Sequence, residues 1–593
     1  MGSLEHIVAN WTPDSIIAID FGTTRTGFSF YLPPFHSSEI RHGRWNGEKD
    51  EGKTPTALLL DEHDNIVSFG QMAQSTFFNS PEQGFRLFED FKMKLWSSNS
   101  QSELVRPSLP DGGVGEPLPV LRVIAKSLEA VGREALKAVA QKLARQFNDL
   151  SLTNQLWVVT IPAIWKDSAK ALMRQAALDG GLIDELNSNH LLLAYEPEAA
   201  AVRCLHETQL DLVEGTKFMV VDCGGGTVDI TAHEIISGLR FKSLMVPTGG
   251  PWGSTYVDKN YFAFLRQFVG PEIYSQLSAT QLMDLRLDWE RVKLEFNGRN
   301  VNVNLSAICS MESFPPSALD RCLREFNAHP HFTAPFPEDR PTATASAPVD
   351  PSALRLRRMG FNLNLPPALT QQFFDPIFAS IAQRVNQLLT VREVRGLKYI
   401  FLAGGFAQSE PLTTYLRAHV NTRGAAWTIP TMPTMSVVAG AARMGTTPDI
   451  VDSHKAALYY GVVTSNLVYS DAEHPGRPRR YGDDGTKYVD VVAVLVEKGQ
   501  NCRRGDQAAS SFIPMTKDQE TVTFRMVCSS ERCTYPDAAL CKDLAQVSIP
   551  CPGAGRPPAE RPVTATMSFA GTEIEFSATN AEGHREAVSV TFA

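Results

Sequence analysis

Short apolar runs and helical stretches alternate along the first three quarters of the chain, and several of the runs end in similar polar residues. Residues 15–30 form a β-branched and aromatic run interrupted by Gly22-Thr23-Thr24, which predicts two strands about a turn. Residues 119–148 carry apolar positions at three- and four-residue spacing, which predicts a long helix. Residues 156–162 (LWVVTIP) predict a buried strand, and 217–231 a strand pair folded about three glycines. Residues 368–389 predict a helix and 397–403 another strand. Such alternation means an α/β fold. Past about residue 445 the helical periodicity fades, and 489–496, 521–527, 544–549, 563–569 and 574–578 read as short strands between turn residues. A boundary is therefore expected near 446–455, with residues 1–445 as one unit and 446–593 as a β-rich domain. Residues 329–351, dense in Pro, Thr and Ala, read as a loop inserted in the first unit.

Composition narrows the function classes. The 593 residues are 43% hydrophobic and 20% charged, which suits a folded protein with large cores. Lys plus Arg is 56 and Asp plus Glu 65, a net charge of −9. A surface of that sign disfavours nucleic acid and anionic membranes as partners. No run approaches the roughly eighteen apolar residues of a membrane span. The first residues show neither a basic segment nor an apolar export core, so the nine cysteines read as reduced thiols of a cytoplasmic protein. Cys528, Cys533, Cys541 and Cys551 lack the short paired spacing of a zinc site.

The candidate chemistry lies in three glycine turns. Asp20-Phe21-Gly22-Thr23-Thr24 closes one apolar strand, and Asp222-Cys223-Gly224-Gly225-Gly226-Thr227-Val228-Asp229 closes another about 200 residues later. In both, glycines allow backbone amides to approach an anion, hydroxyls add donors, and a strand-end carboxylate can hold the water shell of Mg²⁺. Matched Asp and Thr positions in both copies favour a clamp on polyphosphate over two unrelated hairpins. The third turn, Ala403-Gly404-Gly405, leads from a strand into a helix with Ser409 as its N-cap.

These motifs, in this order, resemble the actin-like ATPase superfold, a two-lobed, duplicated α/β fold. Further segments resemble the seventy-kilodalton heat-shock chaperone family: Val158-Val159-Thr160-Ile161-Pro162-Ala163 with Asp167-Ser168, Glu196-Pro197-Glu198-Ala199-Ala200-Ala201, Glu290-Arg291-Val292-Lys293, and Phe91-Lys92-Met93-Lys94. The resemblance covers about residues 14–445. A weaker one, around Phe569 to Asn580, is to the last strands of that family's substrate-binding β-domain. With no helical lid after it, the chain looks like the divergent branch of the family, the heat shock protein 12A-like group and its fungal relatives.

The resemblance implies ATP or ADP with Mg²⁺ in a cleft. It places Gly22, Thr23 and Thr24 on one phosphate loop and Gly224, Gly225, Gly226 and Thr227 on the other. Asp20 and Asp222 would hold the metal through water, and Asp229 would orient nearby groups. Lys92 would neutralise charge on the terminal phosphate, Lys94 being its sequence rival, and Glu196 would help position the attacking water or the metal's water shell. Glu290 and Lys293 would take the ribose, and Gly404 and Gly405 the base. Gln408, Phe406, Leu294 and Thr434 depart from the family's base-side residues, and Lys170 from the arginine it pairs with Pro162. The expected function is a slow ATPase of chaperone type, with a client or partner on the C-terminal β-domain and a co-chaperone or exchange factor as further partner. The rivals are a small-molecule kinase of the same superfold and a nucleotide-gated scaffold without turnover.

Overall fold

The computed structural model describes residues 13–33, 39–45, 52–80, 83–97, 103–109, 115–165, 167–207, 210, 212–337, 350–537, 539–569 and 572–590. Most of the expected insertion, 338–349, lies outside the described residues.

Two sheets share one strand order. In the first, β1 (Ile16–Phe21) and β2 (Arg25–Tyr31) form an antiparallel hairpin. The short β3 (Arg41–His42) and β4 (Lys53–Pro55) pair with β2, while β5 (Leu156–Ile161) and β6 (Leu191–Tyr195) continue in parallel on the far side of β1. The order is β6-β5-β1-β2-β3. The second sheet repeats it with β7 (Lys217–Cys223), β8 (Val228–Ser237), β9 (Arg240–Ser243), β10 (Leu397–Ala403) and β11 (Ala426–Thr428), ordered β11-β10-β7-β8-β9. The duplicated two-lobed fold follows from that repetition.

The helices used below are α1 (Val120–Leu143), α2 (Asp167–Asp179), α3 (Glu196–Glu207), α4 (Thr255–Val269), α5 (Ala279–Glu295), α6 (Pro367–Leu388) and α7 (Ser436–Thr446). Helix α1 spends its apolar stripe, including Val120, Val123, Ile124, Leu128 and Val131, on the face of β1 carrying Ile17, Ile19 and Phe21. The opposite face, Ile16 and Ala18, packs with Phe218 and Val220 of β7 in a core shared by both lobes. That alternation is the period-two geometry of a strand buried on both sides. Helices α3 and α7 cross in the shared core through small residues, with Gly440 set directly against the Ala199 carbonyl.

The second sheet runs past the boundary expected near 446–455. Strand β12 (Val451–Lys455) lies parallel on β9, and β13 (Asn501–Arg503) pairs antiparallel with β12. Backbone pairing thus carries the sheet into the C-terminal region. That region is otherwise a sandwich of a five-stranded sheet, which includes Tyr459–Val468 and Thr521–Ser529, and a four-stranded sheet, which includes Val563–Phe569 and Ile574–Asn580. Val563, Ala565, Met567 and Phe569 alternate inward to the core between them. Among the described residues no α-helix follows α7. A tip of the four-stranded sheet reaches the first lobe: Glu573 accepts from Arg174 Nε and Nη2 at 2.7 and 2.6 Å, and Thr572 Oγ1 donates to the Leu193 carbonyl at 2.8 Å. All nine cysteines are free thiols. Among the described residues no helix is long and apolar enough to cross a membrane.

Candidate functional site

The two glycine turns, 200 residues apart in sequence, meet face to face. A Cβ on Gly226 would lie 2.6 Å from Thr23 Oγ1, and one on Gly225 would strike Thr24 Oγ1, so only glycine fits at this approach. The first turn is braced by Thr56, whose Oγ1 donates to the Gly22 carbonyl and whose N–H donates to the Thr24 carbonyl, each at 2.8 Å. The second is closed by the Gly224 N–H on the Thr227 carbonyl at 3.0 Å. It is backed by the start of α4, where the Thr255 N–H and Oγ1 both donate to the Gly225 carbonyl at 2.9 Å. Successive amides in such turns are what an anion binds.

Four carboxylates collect beside the turns. Asp20 and Asp222 end the equivalent strands β1 and β7, Asp229 stands opposite Asp222 on β8, and Glu196 opens α3. Burial pushes Glu196 up to about 7; the charge of Lys92 opposes this, and Asp20 and Asp229 add to it. Asp222 is raised well above the usual carboxylate range, chiefly by burial and then by Glu196, Asp229 and Asp20. Asp229 is also raised by burial, and is pulled back by the Thr227 side chain and by the N–H groups of Ile164 and Ala163. The Ile164 N–H donates to Asp229 Oδ1 at 2.9 Å, a bond between the lobes. Like charges this close raise one another, as in any carboxylate cluster.

Two lysines answer them. Lys92, only 1% exposed, donates to Glu196 Oε1 at 2.7 Å, with its ammonium 5.3 Å from the centre of the Trp165 ring. Its rival Lys94 stays at the surface near Glu103. Lys53, on β4, donates to Asp20 Oδ2 at 2.5 Å, and Thr160 Oγ1 donates to Asp20 Oδ1 at 3.1 Å. Among the described residues neither Asp222 nor Asp229 is ion-paired with a cation. No three His, Cys, Asp or Glu side chains there converge tightly enough to grip a metal directly. This donor set therefore fits a hydrated hard cation rather than a closed cage.

The side that the resemblance assigns to the base is built differently. Gly404 has φ of +84°, and a Cβ there would lie 2.5 Å from Asp222 Oδ1, whereas Gly405 faces open space with only Thr434 Cγ2 near, at 3.8 Å. Lys293 is buried beneath α5: its ammonium meets Asp258 Oδ1 at 2.8 Å and Glu290 Oε2 at 2.5 Å. Glu290 is itself exposed, so Lys293 anchors it from below. Of the departures, Phe406 is absorbed into the core against Phe378, Gln408 and Leu294 are exposed, and Lys170 donates to Tyr195 Oη at 2.9 Å.

Sequence reasoning missed Lys53, Thr160 and the Ile164 amide as members of this cluster. Lys53 reaches it through strand register, which no local motif announces. Thr160 and Ile164 stood within or beside a quoted segment, but nothing in its spacing aimed them at a carboxylate.

Comparison with known proteins shows which proteins the chain is similar to. The family described as Hsp70 protein matches residues 127–321. Heat shock 70 kDa protein 12B of Homo sapiens is 28% identical, over 96% of this chain and 90% of its own length. Heat shock 70 kDa protein 12A of Mus musculus is 27% identical, over 95% of this chain and 89% of its own. Chaperone protein dnaK1 of Parasynechococcus marenigrum is 26% identical over 38% of this chain and 31% of its own.

Proposed function

We propose that this chain is a divergent, nucleotide-binding member of the Hsp70 family that takes ATP with Mg²⁺ between its lobes, hydrolyses it slowly to ADP and phosphate, and couples that state to a protein client or partner at its C-terminal sheets. The observation that carries the reading is the contact of the two glycine turns across the lobes, with the buried Asp20, Asp222 and Asp229 and the partly buried Glu196 beside it.

Each residue has a distinct task in this reading. Thr23, Thr24 and the Gly224-Gly225-Gly226-Thr227 turn bracket the phosphates with amides and hydroxyls. Asp222 and Asp20 hold the water shell of the metal, which when bound offsets phosphate charge. Lys92 places a fixed positive charge beside Glu196. Glu196, pushed to about 7, is suited to orient a water and accept its proton at neutral pH. Asp229 is held by the Ile164 amide and keeps the lobes in register at that point. Phosphoryl transfer to water asks for such positioning and charge and for little covalent help. Glu290, anchored by Lys293, faces the sugar, and the open Gly405 faces the base.

A route to the C-terminal sheets starts at the same helix. Glu198 is buried on α3, two residues past Glu196, and its Oε2 lies 3.0 Å from His454 Nε2 on β12. A shift of α3 would therefore act on the strand that leads into the C-terminal region.

The test is calorimetric binding of ATP and ADP with Mg²⁺, beside phosphate release, for the wild type and Asp222→Asn. Binding with slow turnover, lost in the variant, is the expected result. Binding without turnover would leave a nucleotide-gated scaffold, and absence of binding would overturn the reading.

A further inference from the structure

We infer that Lys53 is a resident cation of the phosphate site, supplying part of the charge that a divalent ion would otherwise supply, so that this chain retains nucleotide after divalent ions are removed. The inference rests on the ATP reading above and names a residue that reading does not use.

The backbone builds this position. Asp20 pairs with Gly27 across β1 and β2, and Gly27 pairs with Lys53 across β2 and β4. The three residues stand in one row on neighbouring strands, and side chains in such a row share a face. Adjacent strands lie about 4.8 Å apart, so Lys53 must reach across about 10 Å of sheet to meet Asp20. Gly27 leaves the path clear: a Cβ there would lie 2.7 Å from Lys53 Cγ. The lysine stem fills the space that any other residue at position 27 would take.

The result is a fixed charge, not a surface one. The Lys53 side chain is 14% exposed and that of Asp20 5%, with 2.5 Å between ammonium and carboxylate. The Lys53 carbonyl is held by Arg25 Nη2 at 2.7 Å. Three residues on, Thr56 braces the Gly22 turn, so one short segment supplies the cation and holds the phosphate loop. Both Asp20 oxygens are already engaged, Oδ2 by Lys53 and Oδ1 by Thr160. Asp222 also feels the lysine, whose charge opposes the rise of its carboxyl. An ammonium carries three donors, and Asp20 uses one. The others suit phosphate oxygens.

The experiment measures ADP affinity of the full chain, by calorimetry and by a fluorescent ADP analogue, in excess Mg²⁺ and in excess EDTA. Wild type is compared with Lys53→Met and with Lys53→Arg, and ligand-free thermal unfolding checks each fold. We expect EDTA to weaken wild-type binding by less than about tenfold and Lys53→Met by about a hundredfold or more. Lys53→Arg, which keeps the charge, should behave like wild type. Equal losses in wild type and Lys53→Met would overturn the inference while leaving ATP binding intact. If Lys53→Met fails to fold, a hundredfold loss in the wild type alone overturns it, and a loss under tenfold with Lys53→Arg alike supports it. No ADP or ATP binding by any of the proteins in Mg²⁺ would instead overturn the nucleotide reading, and the inference with it.

Discussion

Replacing Asp222 by Asn should stabilise the ligand-free protein while removing the Mg²⁺-dependent turnover proposed above. Asp222 is buried at the end of β7, with Glu196, Asp229 and Asp20 raising its carboxyl and Lys53 opposing them. At the effective permittivity of buried sites, a like charge about 6 Å away costs about 3 kcal/mol. Lys53 and shared protons relieve much of that, so a net gain of about 2 kcal/mol near pH 8 is the expected scale. The sign in pH follows from linkage. A carboxyl raised in the folded state binds its proton more tightly there than in the unfolded chain. Its favourable contribution is full below the ordinary aspartate range and is lost as pH rises toward the folded value. The stability gap between variant and wild type should therefore widen from about pH 5 to about pH 8. Glu196 titrates in its own window, from 4.5 to about 7, so the variant keeps part of the slope. Thermal and urea unfolding in EDTA would read the effect, as a rise of about 2–4 °C in the midpoint of the two-lobed region near pH 8. A variant no more stable than wild type near pH 8, or a gap independent of pH, would refute the reasoning.

Three further outcomes are expected. Lys92→Met should lower phosphate release by about a hundredfold or more while ADP binding in Mg²⁺ persists, because the proposed role of Lys92 is to place charge beside the transition state; a change confined to affinity would count against that role. Gly440→Ala should cost about 2 kcal/mol in urea unfolding, since the new methyl meets the Ala199 carbonyl where α3 and α7 cross; unchanged stability would mean the crossing is slack. Glu573→Gln should weaken the tie to Arg174 by about 2 kcal/mol, seen as hydrogen exchange across Leu191–Tyr195 faster by about tenfold or more; unaltered exchange would show that the C-terminal tip is not held there.

What the sequence made legible follows from the range of each interaction. The strand-end grammar of Asp20 to Thr24 and of Asp222 to Asp229 is local, and so was readable. The stripe of α1 is a 3.6 period and was equally plain, although its cap came four residues before the expected end, at Ala144 in the left-handed region. Lys92 could be separated from Lys94 only by the turn that buries one and exposes the other. Tyr459–Val468 and Gln507–Phe512 were not foreseen as strands. The second, QAASSF, is a small-residue edge strand with little apolar signal to read. Arg174 and Glu573 are 399 residues apart, and only the folded sheets bring them together.

The site is lopsided in a way that bears on how it works. At the proposed phosphate end, two lysines, two glycine turns and three of the four carboxylates are held by short bonds and close contacts within and between the lobes. At the end proposed for the base, Gln408 and Leu294 are exposed, Phe406 packs in the core, and the Lys293 charge is spent on Asp258 and Glu290. Binding energy drawn mostly from phosphates depends on charges that change when the terminal phosphate is cleaved, whereas energy drawn from the base does not. Because only interactions that differ between two states can shift the balance between them, a phosphate-weighted site of the proposed kind would give more leverage on α3 per unit of nucleotide affinity. In the proposed reading that leverage would fall on Glu196 and, two residues on, on Glu198, whose Oε2 lies against His454.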